Sequence, residues 1–98
     1  MRMLLKFEFG LSAANEAMRT GTMTALTEQL MDSTKPEAAY FGTENGRRTG
    51  YIVFDMVDPA QIPVIAEPLF HGAESTVQFI PVMNADDLQR GLAAAMAG

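Results

Sequence analysis

His71 is the only histidine in the chain, and histidine is the only side chain whose ordinary pKa lies near neutrality. Glu67 stands four residues earlier, a spacing that puts both on one face of a continuing helix and makes an acid–base pair. Pro68 lies between them and Gly72 follows. The competing reading is therefore a helix-end imidazole bonded to the last free carbonyls. Asp55 is a second candidate. It shares strand parity with Tyr51 and Val53, and a carboxylate partly buried beside tyrosines holds its proton longer and can act as a base. Equally, it can end its strand in water, just ahead of Asp58. Tyr40 and Tyr51 could orient a ligand carbonyl or phenol through their hydroxyls, or simply pack across strands and against a partner. Lys6 and Glu8, two apart on one strand, share a face and pair with each other or across the sheet. Glu16 and Arg19 read as a solvated pair, and Asn15 as a local backbone partner.

Other chemistries lack their residues. With no cysteine there is no disulfide, thiolate nucleophile or Cys-based zinc site, and one histidine cannot build a His-rich metal centre. No metal and no other cofactor is expected. Gly42, Gly46 and Gly50 belong to a hairpin and form no phosphate-cradling loop. A net charge of −5 argues against nucleic acid or an anionic membrane as partner. The only basic pair, Arg47-Arg48, reads as a solvated strand edge. The opening Met-Arg-Met-Leu-Leu-Lys-Phe alternates like a strand and is interrupted too soon for a secretory leader. No apolar run reaches membrane-spanning length. A cytoplasmic location is the expectation.

The elements that must position these groups are legible. Ninety-eight residues, 48% hydrophobic and 19% charged, read as one globular domain over 1–98. Its core is thin for two layers, so covering a second sheet face with a partner would help it. Eight methionines read as deformable core filling. Met3 to Phe9 alternates as a first strand ended by Gly10. A helical region follows from about Ser12 to Ser33, with Gly21 in its middle costing about 1 kcal/mol and Thr20 or Thr22 available to cap a fresh segment. Lys35-Pro36 ends it. Glu37 to Thr43 and Arg47 to Met56 then flank Asn45-Gly46, the dipeptide that best tolerates two consecutive positive φ angles. Asp58-Pro59, with Gln61 at the reciprocal capping position, starts a helix that Pro63 and Pro68 keep short and Gly72 ends. Thr76 to Val82 is the last strand. A terminal helix from about Asp86, capped by Asn84, carries the stripe Leu88, Leu92, Met96.

The order β, α, β, β, α, β plus a final helix predicts an α+β, ferredoxin-like chain: a four-stranded antiparallel sheet with helices on one face. The hairpin register sets Ala39 opposite Ile52, Phe41 opposite Gly50 and Tyr40 opposite Tyr51. Phe41 is expected to cover the bare glycine. One face, with Ala39, Phe41, Ile52, Phe54, Leu5, Phe7, Phe9, Val77 and Phe79, faces the helices. The other carries Ala38, Tyr40, Tyr51, Val53 and Asp55, with Leu4, Lys6, Glu8, Gln78 and Ile80. Tyrosines at the centre of such a face predict that a second copy covers it.

This element order, length and mixed face resemble the dimeric α+β barrel group of ferredoxin-like proteins, which includes muconolactone isomerases and cofactor-free antibiotic-biosynthesis monooxygenases. More closely, Lys35-Pro36-Glu37-Ala38-Ala39-Tyr40-Phe41, Tyr51-Ile52-Val53-Phe54-Asp55-Met56, Ile65-Ala66-Glu67-Pro68 and Pro81-Val82-Met83 resemble small bacterial proteins of unassigned function. The resemblance implies a homodimer with stacked sheets around a cavity, binding or converting a small organic molecule without a cofactor. Tyr40, Tyr51 and Asp55 would line that cavity, with Glu67 and His71 as further acid–base candidates. The alternative expectation is a non-catalytic interaction or accessory module whose interface is filled by the partner.

Overall fold

A computed structural model describes residues 1–98. Strand β1 (Arg2–Glu8) buries Met3, Leu5 and Phe7 and leaves the alternate side chains half exposed, as a strand with one covered face must. Two helices follow, α1 (Leu11–Thr20) and α2 (Thr22–Thr34). They part at Gly21, whose φ of 83° is left-handed and favours a residue without Cβ. Neither threonine caps the new helix. Thr20 Oγ1 bonds back to the Glu16 and Ala17 carbonyls and to Thr22 Oγ1, so the hydroxyls serve the end of α1 instead. Lys35 closes α2 in a left-handed conformation, its N–H donating to Met31 O.

Strands β2 (Ala38–Glu44) and β3 (Arg47–Asp55) join through Asn45 (φ 55°) and Gly46 (φ 73°), the doubly positive turn. The register is the expected one: Ala39↔Ile52, Tyr40↔Tyr51, Phe41↔Gly50. Helix α3 (Gln61–Ala73) is preceded by a reciprocal arrangement. Asp58 Oδ1 accepts from the Ala60 N–H, while Gln61 Oε1 accepts from the Val57 and Asp58 N–H groups. The prolines shorten it less than expected. Pro63 sits in the first turn, where no donor is needed, and the helix passes Pro68 and Gly72 to end at Ala73, with Glu74 left-handed.

Strand β4 (Thr76–Pro81) completes an antiparallel sheet of order β2-β3-β1-β4, and α4 (Ala85–Met96) follows. The chain is α+β, with α1, α2 and α3 packed on one sheet face. Leu5, Phe7, Ile52, Phe54 and Leu69 form the fully buried centre. Two expectations are corrected. Phe7, from the neighbouring strand, covers Gly50: a Cβ there would lie 2.1 Å from Phe7 Cζ. Phe41 instead stays 59% exposed, because the helices lie over β1, β3 and β4 and stop short of edge strand β2.

Helix α4 has a complete capping box, Asp87 N–H to Asn84 Oδ1 at 2.8 Å and Asn84 N–H to Asp87 Oδ2 at 3.2 Å. It buries no residue, and it reaches the body of the chain through Asp87, 3.5 Å from Arg2 of β1. The radius of gyration, 15.7 Å, exceeds the value of about 13 Å for a compact chain of this length because α4 projects from the body. No helix is long and apolar enough to cross a membrane.

Candidate functional site

Three adjacent strands bring Lys6, Tyr51 and Glu44 together on the sheet face that no helix covers. Lys6 lies opposite Tyr51 in the β1–β3 pairing, and Glu44 comes in from the far end of β2. Lys6 Nζ is 2.5 Å from Glu44 Oε2, and the Tyr51 hydroxyl donates to Glu44 Oε1 at 2.7 Å. The carboxylate is thus held on both oxygens. Hydrogen bonds from Lys6 first, then Tyr51, hold Glu44 below the usual carboxylate range. The same anion raises the Tyr51 phenol and the Lys6 ammonium above their ordinary values. Of the two pairings open to Lys6 and Glu8, with each other or across the sheet, the second is found: Lys6 meets Glu44, and Glu8 accepts from Asn45 Nδ2 at 3.2 Å. Around this polar centre stand Leu4, Val53, Ile80 and Tyr40, the last 71% exposed. The face offers an ammonium and a phenol, each already turned toward a carboxylate, set in an apolar surround.

The residues singled out from sequence do not converge on one place. Tyr40 and Tyr51 pair on the open face. Asp55 lies at the end of the sheet, largely exposed, 2.7 Å from the Met1 amino nitrogen. There it lines a polar cleft of about 530 Å³ with Arg2, Glu37 and Asp87. Arg2 Nε meets Glu37 Oε1 at 2.6 Å, and an Arg2 Nη atom lies 3.5 Å from Asp87 Oδ2, so the one arginine of the cleft is occupied. Its backbone bond to Asn84, with Arg90 and Arg2 nearby, lowers the Asp87 pKa. Glu67 and His71 do meet, at 3.0 Å, because α3 runs through Pro68. Both are exposed, on the side of α3 away from Ile65, Leu69 and Ala73, and neither lines a cavity. Glu16 and Arg19 form the surface ion pair read from their spacing.

Sequence reasoning missed Glu44. Its even number in β2 gives it the parity of Ala38 and Tyr40, which was the available signal, but the strand was ended one residue early, at Thr43. Arg48 was also misplaced. It shares parity with Gly50, Ile52 and Phe54, so it lies on the helix-facing side of β3 and is only partly exposed. No three His, Asp or Glu side chains come together where they could hold a metal ion. No protein-family model matches the chain, and no curated protein matches it in sequence.

Proposed function

We propose that the chain is a ferredoxin-like subunit of a homodimer, a dimeric α+β barrel that binds a small organic molecule between stacked sheets. The observation that carries this reading is the open face: Tyr40 and Ile80 uncovered, Leu4, Tyr51 and Val53 half covered, and Lys6–Glu44–Tyr51 at its centre. An apolar surface around a small polar group is what ligand pockets and isologous contacts share. The strand order β2-β3-β1-β4 supports the ferredoxin-like reading. The Leu88, Leu92, Met96 stripe of α4 supports the dimer, since it is exposed on a helix that buries no residue in its own chain. That helix is about 18 Å long, close to the roughly 19 Å width of four paired strands.

Within the enclosure Tyr51 and Lys6 would orient a carbonyl or phenol, with Glu44 holding both in place. Tyr40 would wall the cavity, and any conversion would use these side chains without a cofactor. A second reading, a non-catalytic accessory module with a filled interface, is favoured by one observation. Glu67–His71 and Asp55 lie away from the centre of the open face.

Tyr40→Lys tests the dimer. It places a charge at a position 71% exposed on edge strand β2, so the far-ultraviolet spectrum should stay native while sedimentation equilibrium reports a single chain. A wild-type protein that sediments as one chain at all concentrations would end the enclosure. A crystal structure of the dimer then decides between ligand binding and accessory module. A cavity reaching Tyr51 supports the first, and continuous side-chain packing there supports the second.

A further inference from the structure

We propose that the chain has a separate binding groove, on the helix side beneath the β2–β3 hairpin, that takes a monocarboxylate with an apolar body. The groove, about 510 Å³, opens where α1 gives way to α2 and where the helices fail to cover β2. That volume lies within the range of small-ligand sites. Phe7, Met23, Leu26 and Leu30 line its depth, and the exposed Met18 and Phe41 flank it.

Arg48 is the only charged residue in the lining. It stands at a helix-facing strand position, where a side chain normally goes into the core, and it has no carboxylate within ion-pair distance. Arg2, Arg19, Arg90 and Lys6 each meet an acid. A partly covered guanidinium beside apolar surface is complementary to an anion that carries its own apolar part. Its planar fork matches a carboxylate on two N–H groups. Thr43 adds a hydroxyl donor to the lining, whereas the Thr27 hydroxyl donates to Met23 O. The flexible methionines let an unbranched chain settle without a fixed shape. The groove lies on the opposite side of the sheet from the face assigned to the dimer, so the two assignments stand or fall separately.

Decanoate and decanol are the probes, read by calorimetry and by methyl resonances of the methionines. Decanoate should bind saturably and move the Met18 and Met23 methyls while leaving Met83 and Met96 in place. Decanol should bind about tenfold or more weakly, the loss of one hydrogen-bonded charge. Arg48→Met should bring decanoate down to the affinity of decanol. Phe41→Glu, a carboxylate set beside Arg48 at an exposed position, should abolish decanoate binding with the fold intact. The Tyr40→Lys chain should bind decanoate as the wild type does. Equal affinity for acid and alcohol, unchanged binding in Arg48→Met, or methyl shifts confined to Met83 and Met96 would overturn the proposal. So would loss of binding in the Tyr40→Lys chain, which would assign the groove to a second copy.

Discussion

Glu44 carries more of the open face than any other side chain, because it answers a cation and a phenol at once. Its depressed pKa means that its contribution to stability is complete above the ordinary carboxylate value of 4.5 and is lost as pH falls through the lower folded value. Lys6 and Tyr51 have the opposite sign. Their raised values make a contribution that is complete below the ordinary ones and lost as pH rises through the folded ones. The stability difference between wild type and Glu44→Gln should therefore be level across neutral pH and shrink at both extremes, measured by urea unfolding over a pH series. In the same variant the Tyr51 phenol should ionise at lower pH than in wild type, with Tyr51→Phe identifying its share of the phenolate absorbance. Unchanged phenol titration would mean that the Glu44 contact does not persist in solution. His71→Ala should leave unfolding unchanged, since the imidazole meets only an exposed glutamate.

Among the elements, two glycines separate crowding from backbone strain. Gly50 has ordinary strand dihedrals but no room: its Cβ would overlap the buried ring of Phe7. Gly50→Ala should cost about 1–3 kcal/mol, as overpacked cores do, and the cost should fall in a Phe7→Leu background, shown by a double-mutant cycle on unfolding free energies. Gly21 has open space and a φ of 83°, so Gly21→Ala should cost about 1–2 kcal/mol from conformation alone, with no such coupling. The same contrast explains what could be read in advance. Asn45-Gly46 sets a local register, and parity then carries each side chain of β2 and β3 to its correct face. The neighbour that fills Gly50 comes from β1, more than forty residues earlier, and no local pattern specifies it. Cross-sheet pairing of Lys6 was legible, but not that Glu44 is its partner, since the β1–β3 pairing brings β2 near only through β3. Helix boundaries near Pro68 and Gly72 moved outward because Ile65, Ala66, Leu69 and Ala73 pack against the sheet and neighbouring helices, which outweighs local breakers.

For the whole molecule, the unspent feature is α4. Its capping box and its acidic first turn make it a well-started helix, yet it adds nothing to the core of its own chain. Twelve residues are marginal as a free helix, so a sustained amphipathic stripe there implies tertiary or subunit packing. Leu92 is 55% exposed within one chain. If a second copy covers it, Leu92→Glu should weaken the dimer and make its thermal midpoint more dependent on protein concentration. In the Tyr40→Lys chain, already single, Leu92→Glu should change the midpoint hardly at all, because no contact remains for it to break. The paired measurement isolates the subunit contact from helix propensity, which is the same in both backgrounds. An equal loss of stability in both would mean that α4 folds back on its own chain, and the dimer would then have to rest on the sheet face alone.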